Sequence, residues 1–506
     1  LKCARMRGCQ WQLPRAPASA RPSSAAPSAA RTTAGGMDAH SPLSAALSSG
    51  PDVVVERRRW LVLAVLVWIG FNQGIAWMTF SASAAQLREL LDGTSISDAE
   101  VNLLLNWGPI MYLIAVWPFL ARMSSRGPEA VHECALVAGI LVFLGCSLRL
   151  VGFLPGVVQP HLWLHLGQIC IGLAGPVSAS IAPAFAAVWF PAEERTLATS
   201  LIWTCQSAAP SLGFAIALPT KIGAGLMAIM LGEAASSLAA LAFWLVACPK
   251  LPHHAPSSSA AAHRVACGDG GAGAGLASQL SELLAAMRRN RFWLLAVWGT
   301  SVGAFQCWSA SLSVLFAHSP FPAIGDDDMG KLLGLVSNGG TFFGTLAAAP
   351  LADRFFRRRF KRFLIIIGVL QVALLAAFSA AVPDKHGKAA LPIGALGSVV
   401  VLTVASLLFG LGAPVCFELG AELTFPAHEG VSSSAYSFTV NAGGFLLIAV
   451  LSAGGSALTG AVSCALMAVV VGLCLVMLLF VPETYPRLTL DSELFDQSCA
   501  AVRQLG

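Results

Sequence analysis

Charged side chains are scarce in this sequence. Of its 506 residues, only 11% are Asp, Glu, Lys or Arg, while 56% are hydrophobic and the mean hydropathy is +0.72. A soluble protein of this length carries about a quarter charged residues. The deficit excludes a soluble globular protein and indicates a polytopic membrane protein. The sequence also has no basic patch interleaved with aromatics, so no nucleic-acid partner is expected.

Several short motifs are missing as well. The 13 cysteines form no Cys-x-x-Cys pair, so neither a zinc site nor a disulfide framework is expected. The glycine-rich stretch GDGGAGAG lacks the lysine of a P-loop, which excludes ATP hydrolysis by this chain. His161 and His165 have the four-residue spacing of metal ligands, but no third ligand follows them. The sequence therefore predicts no cofactor and no metal.

Long apolar segments fill the chain in two sets of six. Between the sets lies 248–290, a Gly-, Ser- and Ala-rich linker that cannot form a core. We expect an all-α polytopic membrane protein with twelve transmembrane helices in two six-helix halves, 57–247 and 291–482. This arrangement resembles the major facilitators, whose halves rock about a central site. The predicted spans are 60–82, 101–121, 131–153, 163–189, 197–218, 224–247, 292–316, 332–352, 361–382, 393–416, 431–453 and 458–481.

The two ends of the chain are predicted to be tails. Residues 1–56 are expected to be a disordered cytosolic tail, and 483–506 a second cytosolic tail. Residues 1–36 contain no acidic residue and are rich in Arg, Ala, Ser and Pro, as organellar transit peptides are. The alternative is an untargeted tail, or a chain that starts at Met37.

Basic residues cluster on one side of the predicted membrane. The positive-inside rule therefore predicts cytosolic termini, and an even number of spans requires both to lie on the same side. Two locations are consistent with the sequence, a lysosomal or vacuolar membrane and the plasma membrane. The clusters are Arg57–Arg59, Arg122 with Arg126, Arg195, Arg288–Arg291 and Arg354–Arg362.

Four stretches carry a family resemblance. They are FNQGIAWMTF in span 1, GLAGP followed by APAFAAVWFPAEERTLATSL at span 4, GAFQCWSASL in span 7, and FELGAELTFPAHEGVSSSAY after span 10. In this order they resemble the FLVCR-type branch of the major facilitators, and within it the "disrupted in renal carcinoma" carriers, over residues 60–482. The resemblance implies a secondary transporter that moves a small organic solute by alternating access.

The resemblance also implies substrate classes. The first expectation is proton-coupled transport of a pyridoxine-like vitamin, and the alternative is facilitated transport of choline or ethanolamine. An alternative of another class is a transport-inactive receptor or scaffold. An intramembrane enzyme is not expected, because the spans contain no set of catalytic residues at one depth.

Five residues fall at family substrate positions. The resemblance assigns them to Trp77, Gln206, Gln306, Trp308 and Asn441, with Gln206 one residue away from the family position. An indole face suits a cationic or aromatic ligand. The alternative for each residue is helix packing, since Trp, Asn and Gln also join helices in membranes. Choline-carrying relatives have Tyr in place of Gln306, which favours the vitamin.

Two charged residues lie inside spans. Glu233 sits in IMLGEAASS, well within span 6, and is the candidate proton-coupling carboxylate. The alternative is a glutamate that joins helices by a hydrogen bond. Arg149, near the end of span 3, is expected to extend toward the membrane surface.

Charged residues near the predicted cytosolic ends of spans are candidate gate residues. In GTLAAAPLADRFFRRRFKR after span 8, Asp353, Arg354 and Arg357 are expected to form a latch between helix ends. The matching loop of the first half keeps Arg126 but has Ser124 where an acid is expected.

Glu418 and Glu422 are four residues apart and share one helix face. A helix that starts near residue 395 crosses a core of roughly 30 Å in about 20 residues, which places Glu418 at the interface and Glu422 beyond it. That depth favours a gate over a proton site.

Overall fold

The described residues cover both predicted halves. The structure is a computed structural model that describes residues 55–256 and 291–485, apart from the gaps given below, and a few isolated positions between them. Most of the predicted tails and linker therefore lie outside the described residues. The gaps are 92–95, 127, 177–180, 192–193, 220–222, 317–325, 357–358, 384–387, 425–428 and 455–459.

Residues 55–485 are α-helical wherever regular structure is described, which confirms the predicted all-α fold. Eight of the helices are long and apolar enough to cross a membrane by length and composition. Helices α1–α8 form the first half and α9–α15 the second. They are α1 (Arg59–Ala82), α2 (Ala84–Leu90), α3 (Asp98–Arg126), α4 (Glu129–Val151), α5 (Pro160–Leu173), α6 (Ala182–Trp189), α7 (Arg195–Ala217), α8 (Gly223–Ala247), α9 (Phe292–Ala310), α10 (Leu312–Leu315), α11 (Asp326–Phe355), α12 (Phe360–Ala381), α13 (Gly394–Thr424), α14 (Glu429–Gly454) and α15 (Gly460–Leu479).

Two predicted spans are broken rather than continuous. In span 4, α5 ends at Leu173 and is followed by a turn at Ala174 and Gly175, while residues 177–180 lie outside the described residues. Pro183 lies in the first turn of α6, where its missing N–H leaves no helical bond unmade. Span 7 ends its main helix at Ala310 and continues as the short α10. At the break, the Ser311 N–H is shared between the carbonyls of Cys307 and Trp308, at 3.1 and 3.0 Å.

Glycines bring helices of the second half into backbone contact. A Cβ atom on Gly303 of α9 would overlap the carbonyl oxygen of Val440 in α14, and one on Gly443 would overlap that of Thr300. Small residues at such crossings allow the close packing that joins helices where no water drives them together.

One end of the bundle carries the predicted cytosolic basic residues, and we call it the basic end. Here α1 begins, and Arg59 donates to both carboxylate oxygens of Glu194, at 3.0 and 3.2 Å. Arg122 at the end of α3 pairs with Glu133 near the start of α4 at 2.6 Å. In the second half, Lys361 donates to the Leu479 carbonyl at 2.8 Å, which joins the start of α12 to the end of α15.

Tyr485 also lies at the basic end, beyond the last span. Its ring packs edge-on against Phe360 with centroids 5.7 Å apart. Burial and the neighbouring Glu483 raise the pKa of Tyr485 to about 12, so it stays a neutral phenol at any physiological pH.

Candidate functional site

The Trp77 side chain supplies a hydrogen-bond donor that a proline removes from α3. Pro109 lies inside α3 and has no N–H, so the carbonyl of Leu105, four residues earlier, lacks its helical donor. The indole N–H of Trp77 donates to that carbonyl at 2.8 Å. Gly108 lets the indole approach, since a Cβ there would overlap the ring. Trp77 is therefore fixed in position by α3 while its side chain stays only partly buried.

The same arrangement occurs in the second half. Pro414 lies inside α13 and deprives the Gly410 carbonyl of its helical donor. The hydroxyl of Thr345 in α11 donates to that carbonyl at 3.4 Å. In each half, a side chain of a neighbouring helix thus donates to the backbone carbonyl that a proline leaves without its helical donor.

Three buried amide oxygens near Trp77 have no hydrogen-bond partner. They belong to Asn106, Gln168 and Gln206. Asn106 follows Leu105, and Gln168 donates its own N–H to the Trp77 carbonyl at 3.4 Å. Gln206 lies on α7 where that helix crosses α1 at Gly74. A buried acceptor without a donor costs about 1–3 kcal/mol, so these three side chains, on helices that pack around α1 near Trp77, are candidates to bind a ligand that supplies donors.

The predicted site residues of the second half divide into two groups. Gln306 is the one exposed residue between Leu294 and Phe316, all of which are described. Asn441 is partly buried, and its amide donates to the Ser437 carbonyl of its own helix at 2.9 Å. Trp308 is fully buried and packs on Phe305 and Phe378, with centroids 5.6 and 6.3 Å away. In this conformation Trp308 belongs to the core of the second half.

An apolar cluster joins the two halves beside these residues. Trp77 packs against it from the first half, and Cys307, next to Gln306, belongs to it in the second. The structure therefore brings Trp77 and the Gln306 region to one interface, while Trp308 points elsewhere. The buried members of the cluster are Met78, Ala82, Leu105, Phe214, Ala217, Cys307, Ala310 and Ile448.

Glu233 is buried and paired with Arg149. Its Oε2 accepts from the Arg149 Nη2 at 2.5 Å, and its Oε1 accepts from the Thr79 hydroxyl. Arg149 has no exposed surface and also donates to the Ala76 carbonyl at 2.9 Å. The expectation that Arg149 extends to the membrane surface is wrong, because a buried carboxylate offers it a better partner than the interface does. Both members of the pair hold α1 on either side of Trp77.

The predicted gate residues occupy the basic end in different ways. Arg126 and Glu418 are exposed, and Arg354 is exposed and lies over the Phe355 ring at 5.5 Å. Glu422 is fully buried at the end of α13. Arg357 and the Asp353 side chain lie outside the described residues, so the latch stays a prediction.

Aromatic contacts between the halves were not anticipated from the sequence. Trp203 of α7 packs on Phe417 of α13 with centroids 4.5 Å apart, and Trp117 of α3 packs on Phe438 of α14 at 5.6 Å. Toward the opposite end, the Ser81 hydroxyl donates to the Ala310 carbonyl. The sequence shows that these aromatic residues lie in spans, but it does not show which helix faces meet across the two halves.

The two spaced histidines have a partner that the sequence did not indicate. Glu100 at the start of α3 accepts from His161 at 2.5 Å and lies 3.5 Å from His165. Among the described residues, no group of three or more His, Cys, Asp or Glu side chains could hold a metal ion.

Comparisons with known proteins show which family the chain resembles. The family model described as Major Facilitator Superfamily matches residues 66–449. A "Solute carrier family 49 member 4 homolog" of Xenopus tropicalis is 25% identical, over 86% of this chain and 93% of its own length. The "Choline/ethanolamine transporter FLVCR2" of Homo sapiens is 22% identical, over 79% of this chain and 73% of its own length.

A solved structure shows the same fold. The xylose transporter XylE from E. coli, in an inward open conformation, superposes with a TM-score of 0.59 at 17% identity, over 85% of this chain and 98% of that one. The helix order agrees with this fold, and the family model covers residues 66–449 of the chain. The chain belongs to the Major Facilitator Superfamily.

Proposed function

We propose that this protein is a secondary carrier that moves a small polar, ring-bearing solute, with a pyridoxine-like vitamin as the leading substrate. The observation that carries the proposal is the set of three unpartnered amide oxygens on α3, α5 and α7, the helices that pack around α1 near Trp77. A substrate ring packs on the indole face, and its hydroxyl groups donate to the oxygens of Asn106, Gln168 and Gln206.

Choline or ethanolamine is the second candidate. It is supported by the name of the human relative and by the affinity of an indole face for an ammonium group. Choline, however, has one hydroxyl and no N–H, so it leaves at least two of the three oxygens unpartnered. Gln306 and Asn441 complete the proposed site from the second half, and Trp308 enters it only through a change of conformation.

Glu233 is the proposed proton-coupling residue. Protonation would remove the negative charge that holds Arg149 and Thr79. Because Arg149 also binds the Ala76 carbonyl, loss of the pair frees α1 on both sides of Trp77. Proton binding and the position of the indole would then be coupled through three contacts.

Uptake into proteoliposomes tests the proposal. Radiolabelled pyridoxine and choline are offered to the full chain, with and without a pH gradient, and empty liposomes serve as the control. We expect saturable pyridoxine uptake that the gradient increases. Choline uptake in its place would establish the second candidate, and uptake of neither would leave a receptor or scaffold.

Glu233→Gln separates transport from coupling. The amide keeps the size and one acceptor of the carboxylate but cannot take up a proton. We expect the folded fraction of the variant to keep pyridoxine exchange across the membrane and to lose most of the increase that the gradient gives to the wild type. An increase equal to that of the wild type would place the coupling proton at another residue.

A further inference from the structure

The strongest group of titratable residues outside the proposed site lies at the end of the bundle opposite the basic end. His161 and His165 are one turn apart on α5, and both face Glu100 on α3. The Nδ1 atom of His161 is 2.5 Å from Glu100 Oε1, and the Nε2 atom of His165 is 3.5 Å from the same oxygen. We call Glu100, His161 and His165 the histidine cluster.

Trp107 fixes the tautomer of His165. Its indole N–H donates to the His165 Nδ1 at 2.9 Å, so that nitrogen is an acceptor. The proton of the neutral ring is therefore on Nε2, which faces Glu100. A second proton can reach Nδ1 only if the Trp107 hydrogen bond breaks. His161, by contrast, faces Glu100 with Nδ1 and can take up a proton without losing a partner that the structure shows.

Solvent reaches the histidine cluster. The side chains of Glu100 and His161 are each 25% exposed, and that of His165 is 20% exposed. Protons can therefore enter from the aqueous side without crossing the bundle. One carboxylate and two neutral imidazoles carry one negative charge, which a single added proton neutralises.

Other charged groups near α5 are already paired. From α3, Asp98 pairs with Arg88 of α2. From α4, Arg149 lies against Gly167 of α5, and Glu233 of α8 is its partner. The Arg88–Asp98 and Arg149–Glu233 pairs therefore leave the histidine cluster as the group of imidazoles at this end of the described helices, since His132 of α4 lies at the basic end.

The histidine cluster is connected to Trp77 through one turn of α3. Residues 105–108 include the carbonyl that accepts from Trp77, the indole that binds His165, and the glycine against which Trp77 packs. A proton on His165 would break the Trp107 bond and disturb the turn that fixes Trp77.

We infer that Glu100, His161 and His165 form a proton-binding site at the non-basic end, which sets how the Trp77 site responds to pH on that side of the membrane. It rests on the proposed transport function for its effect on uptake, but not for proton binding itself. A proton on His165 Nδ1 breaks the Trp107 hydrogen bond, and the Glu100 carboxylate offsets the added charge.

Tryptophan emission of the purified full chain tests proton binding without transport. Emission is recorded between about pH 5 and pH 8, the range in which imidazoles titrate. The signal of Trp107 is the wild-type emission minus that of Trp107→Phe. We expect it to fall toward low pH, because a protonated imidazole quenches a neighbouring indole. His165→Gln should abolish the fall, and Glu100→Gln should move its midpoint.

His132→Gln is the matched control. His132 lies at the basic end and stacks on Trp244 with centroids 5.2 Å apart, so it is a second histidine beside a tryptophan. Its loss should leave the Trp107 signal unchanged. A Trp107 signal that is flat with pH, or that titrates equally in His165→Gln, overturns the inference.

Uptake supplies the second measurement. Wild-type uptake should change several-fold between pH 5.5 and 7.5 on the non-basic side, because the proposed site binds its proton in the range in which imidazoles titrate. His161→Gln with His165→Gln should remove most of that change. Equal pH dependence in both proteins overturns the effect on transport. If the Trp107 emission changes with pH as expected but the protein takes up no substrate, the proposed function is wrong and the proton-binding site stands.

Discussion

At the scale of single residues, Trp77 has two roles that a substitution can separate. Its N–H donates to the Leu105 carbonyl that Pro109 leaves without a donor, and in the proposed function its ring face binds the substrate. The first role stabilises the fold and the second serves transport. Phe in its place keeps an aromatic face and loses only the N–H.

Trp77→Ala should therefore reduce pyridoxine uptake at least about tenfold, since an aromatic contact and its buried area are worth more than about 1.4 kcal/mol. Trp77→Phe should retain most uptake and lower thermal stability, because the Leu105 carbonyl loses its donor. Uptake and unfolding temperature are measured in parallel. Trp244→Phe, in the core of the first half, is the control. Unchanged uptake in Trp77→Ala would remove this residue from the site.

Arg149 and Glu233 form the second residue-scale test. Removing one partner leaves a buried charge unpaired, which in proteins costs on the order of 3–5 kcal/mol. We expect Arg149→Gln alone to lower the unfolding temperature strongly. The double variant Arg149→Gln with Glu233→Gln should recover part of the loss. Additive losses in the double variant would show that the two side chains do not depend on each other.

At the scale of elements, glycine positions decide how closely helices pack. Helices α9 and α14 touch through the backbone at Gly303 and Gly443, and a methyl group at either has no space. On α8, a methyl group at Gly232 would meet nothing within 4 Å. The helices that carry Gln306 and Asn441 can therefore pack at backbone distance only because glycine occupies these two positions.

Gly303→Ala should lower the unfolding temperature and the folded yield, because the helices must separate to admit the methyl group. Gly232→Ala, also inside a span helix, should be neutral or slightly stabilising, since alanine favours a helix. Both are measured by thermal unfolding in detergent. Equal behaviour of the two variants would contradict the packing described for α9 and α14.

At the scale of the whole molecule, the two halves touch toward both ends. Trp203 and Phe417 pack together toward the basic end, and Ser81 binds the Ala310 carbonyl toward the opposite end. A carrier that works by alternating access must open these contacts in turn. Neither set can stay closed throughout a transport cycle.

A short cleavable thiol cross-linker between Trp203→Cys and Phe417→Cys should stop uptake, and reduction should restore it. The pair Ser81→Cys with Ala310→Cys should behave in the same way. Each single-cysteine variant, treated identically, controls for the native cysteines. Full uptake with either pair cross-linked would exclude rocking of the halves about the Trp77 interface.

The sequence alone determined the membrane class, the all-α fold and the two halves, because apolar length and charge asymmetry are properties of the chain itself. It also identified Glu233 as a charged residue inside a span, the four-residue spacing of the two histidines, and the aromatic residues that fall within spans. Pro183 indicated a locally loosened helix in span 4, where α6 begins, but nothing in the sequence indicated the break in span 7.

Tertiary structure decided which side chains meet. The pairing of Arg149 with Glu233, the position of Glu100 between two histidines, and the burial of Trp308 depend on helix rotation and on contacts between helices far apart in sequence. Along one span, nearly every face is apolar, so hydropathy does not tell an interior face from a lipid-facing one. In a membrane the polar partners, and the small residues that let helices approach, fix that rotation.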